Sequence, residues 1–316
     1  MEHSGHGMVM DLPPFTLGRG LHWSADPLFL VACLLGLALY GWGVARLLRR
    51  GDAWPVGRTI AFTVGVLTVA LMMCTGLNDY GMVMFSVHMV QHMVISMLSP
   101  ILILMGAPVT LALRALPTAG HGRKGPRELL LMLLHSHYMR IVTHPAFTIP
   151  LFIASLYGLY FTPLFDFLME SRTGHAAMMV HFLAVGVVFF WPIMGVDPGP
   201  HRPGYLMRML ELFAGMPFHA FFGIALMMGS TPMVGTYENP PASLGIDALA
   251  DQTSAGGIAW AFSEVPSVLV LLALLFQWYR SEQRQARRKD RAADRDGDTE
   301  LAAYNAYLAS LNARGN

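Results

Sequence analysis

Charge is scarce in this chain. Of 316 residues only 13% are Asp, Glu, Lys or Arg while 54% are hydrophobic, a balance too apolar and too evenly spread for a domain dissolved in water. The formal net charge of +1 gives no argument for nucleic acid or an acidic partner. Cysteine is scarcer still. Cys33 and Cys74 sit inside apolar runs without CxxC or CxxxC spacing, which argues against a disulfide framework and a thiolate metal motif. An HExxH zinc signature is missing too, as is any internal repeat. The opening MEHSGHGMVMD is polar and acidic where a cleavable signal needs a basic start and an apolar middle, so the first apolar helix is expected to direct insertion.

Long apolar runs fill the space that charge leaves. A helix needs about 20 apolar residues to cross roughly 30 Å of hydrocarbon, and seven stretches qualify: 28–48, 58–77, 85–106, 145–162, 175–194, 206–229 and 257–279. The fourth is short, and the third and sixth carry Pro100 and Pro217. The expected fold is therefore all-α, a polytopic membrane bundle of seven transmembrane helices. It lies between a tail over 1–27 and a basic tail over 280–316. The run 128–142 is too short to span and has basic flanks, so it reads as a helix lying at the interface. Loops kept in the cytoplasm carry excess Lys and Arg. Here 19 of the 21 such residues fall on one side of a seven-span alternation, with only Arg19 and Arg172 on the other. That pattern places the N-terminus outside and the C-terminus in the cytoplasm, in a multi-pass membrane protein. The basic tail suits anionic headgroups; it also reads as a solvated helix that only satisfies the charge rule.

Against this apolar background the methionines, 23 in all, and a few histidines stand out. In FSVHMVQHMVISMLSP, His88 and His92 are four apart and share a helix face, about 5 and 10 Å below the outer surface at 1.5 Å per residue. On the fifth run His175, Met178 and His181 descend in steps of three; on the sixth Met216 and His219 flank Pro217; on the seventh Glu264 precedes Pro266. The inner halves of the third, fifth and seventh runs hold no histidine or acid, so a transporter's polar path across the whole bilayer is not expected. An ionisable residue at such depth costs on the order of 3 kcal/mol to insert and normally faces the bundle interior. Several in one outer layer point to a shared site.

Imidazole suits copper, zinc and iron, whereas thioether sulfur selects Cu(I), so the donor set leans toward copper. The competing chemistry is haem held by histidines, in an electron-transfer protein. Any single Met is by default packing, and His135, His137 and His144 near the inner interface read as structural. Glu264 stays open between ligand, acceptor of the proton that histidine loses on binding metal, and interhelical hydrogen bonding. The N-terminal His3, His6, Met8 and Met10 could scavenge copper or form a disordered start.

The runs FSVHMVQHMVISMLSPILILMGAPVTLALRAL (85–116), THPAF (143–147), HFLAVGVVFFWPIMGVDPGPHRPGY (181–205), MPFHAFFGIALM (216–227) and the tail beginning QWYRSEQRQARRKDRAADRDGD at 277 resemble the CtaG-like family of membrane proteins that assemble caa-type cytochrome c oxidase. The resemblance implies a role in maturing the oxidase, taken to be delivery of copper, with no turnover chemistry of its own. The family's membrane histidines correspond to His88, His92, His181 and His219. Some relatives carry a further fused domain resembling CopD copper proteins, and the 316 residues hold none. The expected ligands are those four histidines with His175, Met178, Met216 and Glu264. The expected partners are oxidase subunits, other copper chaperones and the lipid bilayer. A metal-free structural assembly factor is the remaining alternative.

Overall fold

In a computed structural model the chain is described over residues 12–120, 124–200, 203–296 and 299–314. His3, His6, Met8 and Met10 lie outside these residues. Among the described residues there is no strand, only an isolated bridge from Trp23 to Thr75. The helices in order are α1 (Leu17–Gly20), α2 (Pro27–Arg49), α3 (Val56–Met73), α4 (Gly76–Gly81), α5 (Phe85–Met93), a π-helical turn (Val94–Leu98), α6 (Ser99–Met105), α7 (Pro108–Ala115), α8 (Pro126–Leu134), α9 (His137–Val142), α10 (Pro145–Tyr160), α11 (Leu164–Met169), α12 (Arg172–Met194), α13 (Tyr205–Met228), α14 (Ala248–Asp296) and α15 (Thr299–Arg314).

Six helical stretches among the described residues are long and apolar enough to cross a membrane: α2, α3, the run Phe85–Ala115, α12, α13 and α14. The expected fourth span is instead α10, an apolar helix of 16 residues, about 24 Å long at 1.5 Å per residue. Pro145 fixes its start. The expected interfacial helix is two short ones, α8 and α9; they part at Ser136, whose hydroxyl accepts from the Met139 amide and so starts the second. The chain divides into two compact units, Met1–Val270 and Leu271–Asn316. In the second, the basic stretch is exposed and helical, with the Arg280 guanidinium 4.3 Å from the Phe276 ring centroid.

Within the first unit, two helices begin where remote carboxylates cap them. Asp251 accepts from the Phe85 amide at 2.6 Å and from Ser86 at 3.3 Å, so α5, which carries His88 and His92, starts where α14 lets it. Asp197 does the same for α7 through Val109 and Thr110, after a corner at which Ala107 takes φ of 51°. Further along the α5 run, Pro100 has no N–H to give the carbonyl four residues back, that of Ser96. The chain takes up an extra residue there, and the Ser99 amide bonds Val94 O, five back. Against that turn α12 presents Gly186, where a Cβ would collide with the Ser96 carbonyl. Glycine at this position lets α12 approach the backbone of the histidine-bearing run, one turn past His92.

Candidate functional site

Four imidazoles are buried together inside the bundle. His88, His92, His175 and His219 are 0%, 2%, 2% and 3% exposed. The ring of His175 on α12 lies 5.5 Å from that of His88 on α5. His88 Nε2 is 3.0 Å from the Tyr160 hydroxyl at the end of α10, and the Tyr160 ring lies 5.7 Å from His92. His92 in turn faces His219 on α13, with centroids 6.2 Å apart and planes 19° from parallel. The result is a file that runs from the start of α12 into the bundle: His175, His88, Tyr160, His92, His219. Aromatic rings wall it. Phe182 meets His92 edge-on at 4.0 Å and Phe152 lies 4.8 Å from His219.

The file is poorly satisfied by the protein. His92 has no protein partner for either ring nitrogen, and His88 Nδ1, His175 Nε2 and His219 Nε2 are likewise buried without one. Buried polar atoms nearly always find partners, and each exception calls for a reason such as an ion or a water. Imidazole nitrogens presented without competing hydrogen bonds could hold a transition metal of the copper, zinc, iron or nickel class. They do not form a closed cage, since among the described residues no three His, Cys, Asp or Glu side chains converge on one point. The imidazoles come in pairs.

The family model for cytochrome c oxidase caa3 assembly factors matches residues 38–281, which contain the whole file. The chain belongs to that family. It is also 47% identical over 310 residues to uncharacterized proteins of Mycobacterium bovis and Mycobacterium tuberculosis, and 45% identical over 312 residues to one of Mycobacterium leprae. Each alignment covers 97% of this chain and 47% of the relative, so the chain spans about half the length of these relatives. No solved structure matches.

Of the remaining expected site residues, Met216 lies beside the file and the others lie away from it. His181 is exposed, with Nε2 2.9 Å from Ser155 Oγ; it lines a groove of about 420 Å³ with Ser155, Gly158 and Met178. The reason is angular. Steps of three residues lag a turn of 3.6, so over the six residues from His175 the helix face rotates by about a third of a circle. Met178 is buried but belongs to the groove wall, whereas Met216 lines a small enclosed cavity with His219. Glu264 is exposed, because Ser263 and Ser267 take the inward face of α14. His135 and His144 bond local backbone, Leu131 O at 2.7 Å and the Ala146 amide at 3.2 Å.

Sequence reasoning missed three buried polar groups. Tyr160 is the link between His88 and His92. Gln91, fully buried, donates to Met72 O at 2.8 Å and ties α5 to α3. The third is Glu211 on α13, 1% exposed, which accepts from Thr148 Oγ1 at 2.8 Å while its Oε2 has no protein partner. Its spacing to Gly215 and His219, four and eight residues, was the available signal.

Proposed function

We propose that this chain binds Cu(I) as cargo along the histidine file and delivers it during assembly of cytochrome c oxidase, without turnover chemistry of its own. One observation carries the reading: His92, with both ring nitrogens buried and unpartnered, faces His219 across 6.2 Å. Two imidazoles at that distance can share a Cu(I) ion, which tolerates low coordination numbers. Paired rather than caged donors suit a carrier, because cargo held by few ligands is released by exchanging one of them. Met216 beside His219 and Met178 near His175 supply softer exchange partners. His175 would receive the ion at the outer end, where Arg172 and Asp79 form an ion pair at 2.8 Å.

In this reading α10 completes a seven-helix bundle, the N-terminus is outside, the C-terminus is cytoplasmic, and the membrane is the bacterial inner membrane. The partners are oxidase subunits and the chaperones that supply copper. Haem is disfavoured by space: the enclosed cavity beside His219 measures about 10 Å³, roughly one water. A metal-free assembly role draws support from the lack of any three-donor cluster among the described residues.

The deciding measurement is copper content of detergent-purified protein after anaerobic loading with Cu(I), wild type beside H92Q and H219Q. Loss of bound copper in either variant supports the file. Equal copper in all three removes the pair from the site, and no copper in the wild type favours the metal-free role. A Soret band in the protein as purified would restore haem.

A further inference from the structure

A cation moved into the His92–His219 end of this file would add a positive charge among imidazoles and aromatic rings. His88, His92, His175 and His219 are neutral donors, and the neighbours named above are aromatic. Isolated charge in such a medium is costly unless a counter-charge accompanies it. Among the buried acids of the described residues, Glu211 alone keeps a carboxyl oxygen without a protein partner. Glu211 lies about two turns before His219 on α13, rotated from it by about 80° and about 12 Å along the axis toward the Tyr205 end. One turn separates Glu211 from Gly215, and one turn separates Thr148, its hydrogen-bond donor, from Phe152. Gly215, Phe152 and His219 together line the cavity of about 10 Å³, with Ser263 and Ser267 on its far wall. That is room for about one water. Thus a mostly apolar cavity touched by two serine residues lies beside an imidazole with an unpartnered Nε2, two turns along α13 from a carboxyl with an unpartnered Oε2.

We propose that Glu211 is the charge-compensating proton donor of the file: Cu(I) enters as the Glu211 carboxyl gives up its proton, so that one cation replaces another and the buried region stays neutral. Cu(I) and the protonated carboxyl become bound Cu(I), carboxylate and a released proton, with no change of oxidation state. The inference rests on the copper reading above. The other buried acids of the described residues are engaged as helix caps, Asp251 by the Phe85 and Ser86 amides and Asp197 by those of Val109 and Thr110. On α10 the only titratable group in that half is His144 at the helix start, and α12 has none from Phe182 to Met194. On α14 Glu264 is exposed. On α13 itself Arg208, one turn from Glu211, directs its guanidinium to Pro203 O at 3.0 Å.

The test is an infrared difference spectrum between Cu(I)-loaded and copper-free protein, anaerobic, in light buffer at about pH 6, read beside proton release and copper content. Wild type should lose the carbonyl stretch of a protonated carboxylic acid and release about one more proton per Cu(I) than E211Q. E211Q should show no such band and bind Cu(I) about tenfold more weakly, as expected for losing a counter-charge about 12 Å away at an effective dielectric near 20. T148V, which removes only the donor to Oε1, should shift the band, and this assigns it even if E211Q does not fold. Wild type that binds Cu(I) with no carboxylic-acid band lost overturns the proposal while leaving the copper reading intact. Wild type that binds no Cu(I) overturns both.

Discussion

Replacing Tyr160 with Phe removes one oxygen and leaves the rest of a closely packed ring in place. The phenyl ring keeps its neighbours, Phe165 at 4.9 Å and Phe222 at 5.0 Å, so almost no cavity opens. What is lost is the 3.0 Å bond to His88 Nε2. His88 is fully buried and its Nδ1 already has no protein partner, so Y160F leaves an imidazole with no protein hydrogen bond at all. Orphaning a buried polar group costs about 1–3 kcal/mol, whereas removing both partners together is nearly neutral for that bond. H88L alone orphans the phenol instead. The double variant H88L/Y160F should therefore be less destabilised than the sum of the singles, by about 1 kcal/mol or more. Reversible unfolding in mixed micelles, followed by near-UV circular dichroism, gives all four corners of the cycle. Additivity within about 0.5 kcal/mol is what uncoupled sites show, and it would refute the claim that Tyr160 joins the two histidines.

Three further outcomes follow from the caps and close approaches. D251A strips two backbone bonds and a favourable charge from the start of α5, so it should lower stability by about 1–2 kcal/mol and abolish hydrogen-exchange protection at Phe85 and Ser86; unchanged protection there would show that the cap is redundant. G186A places a methyl against the Ser96 carbonyl and should cost about 1–3 kcal/mol as overpacking, read as a lower thermal midpoint. Asp197, in the loop after α12, is held above its ordinary value of 3.8 by burial, opposed by hydrogen bonds from Thr110 and Val109. The folded state thus binds this proton more tightly than the unfolded one. The contribution of Asp197 to stability is greatest below 3.8 and is lost as pH rises through the raised value. Subtracting the midpoint-against-pH curve of D197N from that of wild type should expose the slope, and a flat difference would contradict it.

Spans are legible in this sequence because each is a local property, an unbroken run of about 20 apolar residues. Where the ends depend on distant residues, legibility stops. Nothing near residue 85 announces that Asp251 will cap α5, 166 residues away, and nothing near 248 announces that α14 begins well before its apolar stretch. Pro100 was readable as a disturbance, but its form as a π turn accommodated by Gly186 needs the partner helix.

The site follows the same division. His88 and His92 could be paired from sequence because four residues return nearly to the same helix face, and Glu211 lay open to the same arithmetic through Gly215 to His219. Expected depth alone leaves Glu211 out, whereas four-residue steps along α13 reach it. His181 shows the converse: its expected depth matched the others, while its helix face turns it to the groove beside Ser155. Facing decides function here more than depth does, since a side chain at the right level but a third of a turn away meets lipid or a groove. Tyr160 had no periodic signal at all, being the last residue of a short helix, yet it bridges the two histidines that do. A buried file assembled from four helices is therefore only half written in any one of them. The half that is written consists of the residues whose spacing matches the helical turn.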